Sequence, residues 1–169
     1  PAALASSGLG DVYKSQGTTF AYEAACIYNL KGQCVGQLQV DRLQLLYDRY
    51  QHTQIHRPHA VAQLSPAPFE EEVYKLILRY KQGSKIGNTN RVVDMKNHWA
   101  TPTSVLEVVC NHLNLNKERF ASPLNFHRGM QQYWSCHERD QLFGAEWDAF
   151  SCQWKGNSEC NPEYEHQDM

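Results

Sequence analysis

The chain reads Glu-Arg-Phe-Ala-Ser-Pro-Leu-Asn at 118–125, Tyr-Trp-Ser at 133–135, Asp-Gln-Leu-Phe-Gly at 140–144 and Asn-Pro-Glu-Tyr at 161–164. Asn-Pro followed by any residue and then an aromatic is a rare tetrad, although Asn-Pro by itself is an ordinary turn dipeptide. The four segments together decide which fold the chain is predicted to have, and the remaining segments are interpreted outward from them.

The tetrad at 161–164 offers the groups that are needed to hold an adenine and its exocyclic amine. Tyr164 can stack on a nucleobase, because every base has a π-face. The Asn161 side-chain oxygen and the Pro162 carbonyl can both accept hydrogen bonds from an NH₂ group, and the proline ring fixes φ at about −65°, so that this carbonyl is held rigidly. Two such acceptors prepare the amine lone pair for attack on a methyl sulfonium without removing a proton, which is catalysis by preorganised electrostatics.

Two predicted strand ends carry these residues. A short strand through 119–121 ends at the turn 122–125, and a strand at 157–160 leads into the turn 161–164. Ligands of open α/β sheets bind beyond the carboxyl ends of the strands. We therefore expect the two turns to face the same crevice.

Each of these side chains also has an ordinary structural interpretation. Ser122 and Pro123 are typical of a plain loop, and Asn125 is typical of a helix cap. Asp140 and Asp148 could contact the ribose or the amine of a cofactor, although aspartates at such positions are more often surface residues.

The run ERFASPLN, the YWS and D…FGA that follow it, and the closing NPEY resemble the catalytic region of the cap-specific adenosine N6-methyltransferases, the phosphorylated RNA polymerase II C-terminal-domain interacting factors. Their order is also similar to that of phage-type DNA adenine N6-methyltransferases. The resemblance covers roughly residues 99–169. It implies S-adenosyl-L-methionine as the cofactor and nucleic acid as the substrate, with the cap-adjacent adenosine of mRNA favoured and DNA left open as the alternative.

The resemblance also implies two overlapping sets of site residues. The catalytic set is Asn161, Pro162 and Tyr164, and the cofactor-binding set is Ser122, Pro123, Asn125, Asn161, Pro162, Glu163 and Tyr164, with no metal. Glu163 departs from the family, which has a second proline at this position. A glutamate leaves the backbone free, and its carboxylate would stabilise the sulfonium ground state. We therefore expect weak or absent turnover with cofactor binding partly retained.

The predicted fold class is α/β. A helical N-terminal region at 1–95 is followed at 96–169 by the first part of a Rossmann-like methyltransferase domain that depends on S-adenosyl-L-methionine. The boundary near residue 95 follows from a stretch rich in Gly, Asn and Lys at 83–98. Because the chain begins at Pro1 and ends five residues after the tetrad, we expect a piece of a larger protein that is inactive by itself.

Helices are predicted where apolar residues recur with helical spacing. The predicted helices cover 20–31, 38–50, 69–82, a segment capped by Thr101 that runs to Leu113, and a segment from Asn125 towards Trp134. Glutamates in the first turn and Pro68 just before it make 69–82 the strongest of these predictions.

Residues 51–67 are predicted to form a polar connection, because the prolines there end helices. His52 and His56 lie four residues apart and could share a helix face, but that face requires a helix. With no helix expected and no cysteine near in sequence, we predict no metal site at these histidines.

Composition limits the functional classes further. The chain is 41% hydrophobic and 20% charged, as is typical of globular proteins, and its net charge of −2 gives no overall basic footprint for nucleic acid. The six cysteines form no C-x-x-C pair, so reduced thiols in the nucleus or the cytoplasm are favoured. No apolar run has the length of a membrane span, and no membrane partner is predicted.

A binding module without catalysis is the competing class of function. By resemblance, the partner would be RNA or the phosphorylated C-terminal domain of RNA polymerase II. A phosphopeptide site requires clustered Arg and Lys side chains. The helix at 69–82 offers only a few, and no WW segment of the kind that reads phosphopeptides is visible in the sequence.

Overall fold

The computed structural model describes residues 24–29, 31–82 and 101–161. The predicted domain boundary near residue 95 and the tetrad residues 162–164 lie outside these ranges, and the predictions for them stay predictions. No helix of the described ranges is both long enough and apolar enough to cross a lipid bilayer.

The described residues form two compact units. The first unit contains residues 24–48 and 66–82, and the second contains residues 49–65 and 101–161. Each unit holds both helix and strand. This mixture is consistent with the predicted α/β class.

The first unit begins with a β-hairpin. Strand β1 (Ala24–Tyr28) pairs antiparallel with β2 (Cys34–Gln39). The side-chain oxygen of Asn29 stabilises the turn between them by accepting hydrogen bonds from two backbone N–H groups at 2.9 and 3.0 Å. The prediction of a helix at 20–31 is therefore wrong over its described residues, because pairing with a partner strand overrides the weak helical spacing of this segment.

Helix α3 (Phe69–Gln82) has the predicted bounds, and the prediction is confirmed. Its apolar face contains Val73, Leu76 and Ile77, all of which are fully buried. A Cβ atom at Gly36 would lie 2.8 Å from the Ile77 Cγ2 atom. Strand β2 therefore carries a glycine where the helix approaches most closely.

Helix α1 (Val40–His56) confirms the helix predicted at 38–50 but continues beyond it. The prediction of a polar connection at 51–67 is wrong, because this segment contains the end of α1 and all of α2 (Pro58–Leu64). Pro58 occupies the first turn of α2, where its missing N–H costs nothing, and it follows the end of α1 instead of interrupting that helix.

Helix α4 (Thr103–Leu113) confirms the helix predicted after Thr101. Its predicted cap is wrong, because Pro102 occupies the N-cap position and makes no side-chain hydrogen bond. Asn114 ends the helix in the left-handed conformation with φ of 52°, which asparagine tolerates better than most residues.

The second unit contains a small parallel sheet with the order β3 (Lys117–Glu118), β4 (Gln132–Ser135) and β5 (Glu146–Trp147). A strand was predicted at 119–121, and the structure has it at 117–118 instead, as β3. The helix predicted from residue 125 towards 134 is wrong, because this segment forms a turn and then β4. Tyr-Trp-Ser at 133–135 is buried strand sequence, and aromatic residues favour strands.

Buried aromatic rings join the second half of α1 to β4. The ring of Phe126 stacks on that of Tyr133 with centroids 4.1 Å apart. The Tyr133 hydroxyl donates a hydrogen bond of 2.7 Å to the Phe143 carbonyl. The Arg49 guanidinium lies 5.5 Å from the Phe126 ring centroid and donates to the Met130 carbonyl at 3.1 Å. These contacts fix the strand whose carboxyl end contributes to the candidate site.

Candidate functional site

A further chain segment extends the parallel sheet beyond β3. Glu159 pairs in parallel with Glu118. The Glu159 N–H donates to the Lys117 carbonyl at 2.8 Å, and the Arg119 N–H donates to the Glu159 carbonyl at 3.0 Å. Because the two segments run in the same direction, the residues that follow them emerge at one edge of the sheet. The strand predicted at 157–160 is thus reduced to a single bridging residue.

Asn161 lies at this carboxyl edge and is exposed. It stands two residues beyond Glu159, as Phe120 stands two residues beyond Glu118, the residue with which Glu159 pairs. The structure therefore brings Asn161 to the edge from which the 122–125 turn departs. Open α/β sheets bind their ligands at such an edge.

The Ser122–Asn125 turn is stabilised by hydrogen bonds of its own. The Asn125 Oδ1 atom accepts from the Ser122 N–H at 2.7 Å and from the Ser122 hydroxyl at 2.9 Å. The Leu124 N–H donates to the Ser122 Oγ atom at 3.2 Å. Ser122 and Pro123 are buried, and Asn125 is half-buried and caps no helix. Cofactor binding by these three residues stays a prediction.

Asp140 organises the loop that leaves β4. Its side chain is 0% exposed, and its Oδ2 atom accepts a hydrogen bond of 2.5 Å from the Ser135 hydroxyl. The Ser135 Oγ atom also accepts from the His137 N–H at 3.2 Å. The interpretation of Asp140 as a surface residue is therefore wrong. Asp148 caps a short 3-10 helix (Ala149–Ser151), because its Oδ1 atom accepts from the N–H of the second residue of that helix at 3.0 Å.

Arg119 lies beside the candidate site, and the sequence patterns did not single it out. Its side chain is 2% exposed, and its guanidinium carbon lies 3.8 Å from the Trp134 ring centroid and 5.1 Å from that of Trp154. The Nε–H donates to the Ser158 hydroxyl oxygen at 3.1 Å. Within the part of the chain that the structure describes, this guanidinium forms no ion pair with a carboxylate. Its charge is therefore balanced by ring faces and hydroxyl oxygen.

Three aromatic rings form a surface beside Arg119, which we call the aromatic patch: Phe120, Phe150 and Trp154. Their centroids are 5.5 Å apart for Phe120 and Phe150, 6.0 Å for Phe120 and Trp154, and 6.3 Å for Phe150 and Trp154. Phe150 is 66% exposed and Trp154 is 43% exposed. No local sequence pattern indicates this patch, because Phe120 lies 30 residues before Phe150 and 34 before Trp154.

Carboxylates and burial control the charge of the thiols near the sheet. Burial raises the pKa of Glu159 above its usual value. Burial first, and then the carboxylates of Glu118, Glu159 and Glu107, raise the pKa of the Cys110 thiol. Burial and Glu159 also raise the pKa of Cys160, while Arg119 lowers it. Thiols shifted in this direction stay protonated at neutral pH and are poor nucleophiles.

His52 and His56 do share a face of α1, contrary to the prediction, and their ring centroids are 4.2 Å apart. Even so, no cluster of three or more His, Cys, Asp or Glu side chains suited to a metal ion occurs among the described residues.

Comparison with known proteins identifies the family. The family model described as the phosphorylated CTD interacting factor 1 WW domain matches residues 42–169. The chain belongs to this family. No curated protein matches the chain.

The match confirms the resemblance to the phosphorylated CTD interacting factor 1 family that the sequence motifs indicated. It extends that resemblance toward the N-terminus, from about residue 99 to residue 42, and so includes most of α1 and all of α2 and α3. The description of the family includes a WW domain, which the sequence analysis did not find. A relation to the phage-type DNA enzymes stays a prediction.

The raised pKa of Glu159 predicts a pH-dependent stability in this family member. A carboxyl whose folded-state pKa exceeds its unfolded value contributes most stability when it is protonated, below the unfolded pKa, and loses that contribution as pH rises through the folded pKa. Glu159→Gln should therefore raise the thermal unfolding midpoint at pH 7 and change it little at pH 4. Melting curves of both proteins across this range would check the prediction.

A substitution at an exposed carboxyl provides the control. At each pH the midpoint of Glu159→Gln is compared with that of Glu138→Gln, because Glu138 is exposed. A midpoint difference for Glu159→Gln that does not vary with pH would contradict the role assigned to burial.

Proposed function

We propose that this chain, a member of the phosphorylated CTD interacting factor 1 family, is part of an adenine N6-methyltransferase that uses S-adenosyl-L-methionine and acts on RNA. The observation that carries the proposal is the exposed position of Asn161 at the carboxyl edge of the parallel sheet. A parallel sheet with its functional groups at this edge is the expected beginning of a Rossmann-like methyltransferase domain.

In this proposal the chain acts by positioning the adenine. The Asn161 Oδ1 atom and the Pro162 carbonyl accept the two N–H bonds of the exocyclic amine, and Tyr164 stacks on the base. No side chain is required to act as a nucleophile or to bind a metal. The raised pKa values of Cys110 and Cys160 agree with this assignment, since they keep both thiols protonated.

In this proposal S-adenosyl-L-methionine binds at this edge and supplies the methyl group when bound. Asn161 presents an exposed amide there, and the 122–125 turn leaves β3 at the same edge. Seven residues would hold the cofactor: Ser122, Pro123, Asn125, Asn161, Pro162, Glu163 and Tyr164. Since Ser122 and Asn125 bond to each other, their contribution would be to fix the shape of the turn.

A comparison of substrates tests the proposal most directly. Matched capped RNA, uncapped RNA and duplex DNA are incubated with the full-length protein and labelled S-adenosyl-L-methionine. We expect label at adenine N6 of RNA, with the highest incorporation at the cap-adjacent adenosine. Incorporation into DNA alone would favour the phage-type alternative, and no incorporation into any substrate with the cofactor bound would contradict methyl transfer.

Binding to the phosphorylated C-terminal domain of RNA polymerase II is the second candidate function, and the description of the family favours it. Such binding would place the protein in the nucleus. Of the basic side chains on α3, Lys75 is already paired, because it lies 2.7 Å from Glu71 and 3.7 Å from Glu72. We therefore rank this function second. Salt-sensitive binding of a serine-phosphorylated heptad peptide, measured by fluorescence anisotropy, would support it.

Glu163 should limit the rate of methyl transfer. A proline at this position would fix a second φ angle and so hold the Pro162 carbonyl toward the amine. We expect Glu163→Pro to raise the methylation rate at least severalfold, since a lost fixed acceptor typically costs on the order of 10²-fold in rate. Single-turnover methylation with saturating RNA measures this rate.

A second variant separates charge from backbone rigidity. Glu163→Gln removes the carboxylate but leaves the backbone free, so a rate gain confined to Glu163→Pro identifies rigidity as the cause. Little change in cofactor affinity is expected for either variant. A rate that stays flat or falls in Glu163→Pro would show that NPEY is a working variant of the tetrad.

A further inference from the structure

We propose that the aromatic patch is a stacking surface for unpaired bases of the single-stranded RNA that flanks the target adenosine. The proposal rests on the proposed function, because that function places the target adenine at Asn161. It goes further in naming a second contact surface and the part of the substrate that this surface binds.

The shape of the patch suits a planar ligand. Phe120, Phe150 and Trp154 lie within 5.5–6.3 Å of one another, and the two outer rings are 66% and 43% exposed. Contiguous aromatic rings on the surface of a soluble protein commonly mark a binding site. Nucleobases stack on such rings with little preference for sequence, because all bases have a π-face.

The charge beside the patch favours an electron-rich and anionic ligand. The Arg119 guanidinium lies 5.1 Å from the Trp154 ring centroid. The Lys117 ammonium donates a hydrogen bond of 2.7 Å to the carbonyl of Lys155, the residue after Trp154. Both lysines therefore lie close to the segment that carries Trp154. Lys155 is the sole charged residue between Asp148 and Glu159 in the sequence. Aromatic rings combined with positive charge are the usual composition of surfaces that bind single-stranded nucleic acid.

The position of the patch connects it to the target adenine. Because Glu118 pairs in parallel with Glu159, Phe120 and Asn161 each stand two residues after the paired position, at the carboxyl ends of neighbouring segments. Adjacent segments of a sheet are about 4.8 Å apart. An RNA strand whose target adenine is held at Asn161 would therefore be able to place a neighbouring base on the patch.

Loss of one exposed ring should weaken RNA binding without affecting the fold. Fluorescence anisotropy is measured with a labelled, uncapped single-stranded RNA of about ten nucleotides and with the matched duplex. We expect Phe150→Ala to lower the affinity for single-stranded RNA by about tenfold, since one stacked base is lost. Phe150→Trp should retain the affinity, because it keeps an aromatic face.

The matched control is Trp147→Ala. Trp147 is 49% exposed but lies on β5, two strands away from β3, and it makes no ring contact with the patch within the described residues. Equal losses for Trp147→Ala and Phe150→Ala, unchanged affinity in Phe150→Ala, or no RNA binding by the wild-type protein would overturn the proposal. A loss confined to a serine-phosphorylated heptad peptide would also overturn it and identify a peptide surface instead.

Methyl transfer assayed in parallel distinguishes this proposal from the proposed function. If Phe150→Ala weakens RNA binding while the wild-type protein transfers no methyl group, the stacking surface stands and the methyltransferase proposal fails. If methyl transfer occurs and neither RNA affinity nor the Michaelis constant for RNA changes in Phe150→Ala, the stacking surface fails and the methyltransferase proposal stands.

Discussion

Asn161→Ala should abolish methyl transfer to adenine N6 while leaving the protein folded. The substitution removes one of the two acceptors that hold the exocyclic amine, and loss of one preorganised hydrogen-bonding group in an active site costs about 10²- to 10³-fold in rate. Asn161 is exposed and follows the last paired residue of the sheet, so its truncation removes little packing. Incorporation of labelled methyl groups into RNA at saturating substrate measures the effect.

Asn111→Ala is the matched control, because Asn111 is an exposed asparagine on α4. It should leave the methylation rate and the melting temperature unchanged, as surface substitutions usually do. Asn161→Ala should share that melting temperature and bind S-adenosyl-L-methionine with similar affinity. Methyl incorporation that is unchanged in Asn161→Ala would remove the tetrad from the mechanism.

Helices that carry their own signals could be predicted from the sequence. Helix α3 has acidic residues in its first turn, a proline just before it and a complete apolar face, so its bounds 69–82 follow from local sequence. The end of α1 could not be predicted in the same way. Residues 51–56 are polar apart from Ile55, which is exposed. Only Thr53 among them is buried, so the apolar periodicity that signals a helix is absent there.

The hairpin was missed for a different physical reason. Residues 24–28 contain too few residues to distinguish helical from strand periodicity, and their structure depends on pairing with 34–39. The same holds for the sheet of the second unit, whose strands β3 and β5 contain two residues each. Short strands are determined by their partners more than by their own sequence.

The position of Asn161 could be predicted because it follows from a general property of parallel sheets, whereas the surroundings of Arg119 could not. Parallel segments emerge at one edge, so a tetrad after one segment and a turn after another were expected to lie together. The contacts of Arg119 with Trp134 and Trp154 join residues 15 and 35 positions away in sequence. No spacing rule connects them, and an arginine within a predicted strand is usually interpreted as exposed.

Arg119 is buried without a carboxylate partner among the described residues, which raises the question of what its side chain contributes. Removing a cation from water without a counter-ion is unfavourable. Attraction to two indole faces offsets part of this penalty, at about 0.5–2 kcal/mol for each ring. The aliphatic stem adds apolar contact, as it does in most buried arginines. Packing and charge can therefore be separated by two substitutions at this one position.

Arg119→Ala should destabilise the protein by about 2–4 kcal/mol, because truncation of a large buried side chain leaves a cavity and removes both ring contacts. Arg119→Met should cost less than about 1.5 kcal/mol, since it keeps an unbranched stem and a sulfur atom that packs well against aromatic rings, and removes a buried charge that pairs with no carboxylate among the described residues. Urea denaturation of both variants measures these differences in the free energy of unfolding. Arg128→Ala, at an exposed arginine, is the control and should change stability by no more than about 0.5 kcal/mol.

The comparison also links stability to RNA binding. If packing dominates, Arg119→Met stays folded while its affinity for single-stranded RNA falls, because the positive charge beside the Trp154 ring is gone. Equal destabilisation by Arg119→Met and Arg119→Ala would mean instead that attraction between the guanidinium and the rings of Trp134 and Trp154 outweighs the cost of burying the charge. In that case Arg119 would be a structural residue of the sheet edge. If folded Arg119→Met bound RNA with the wild-type affinity, a contribution of the Arg119 charge to RNA binding would be contradicted.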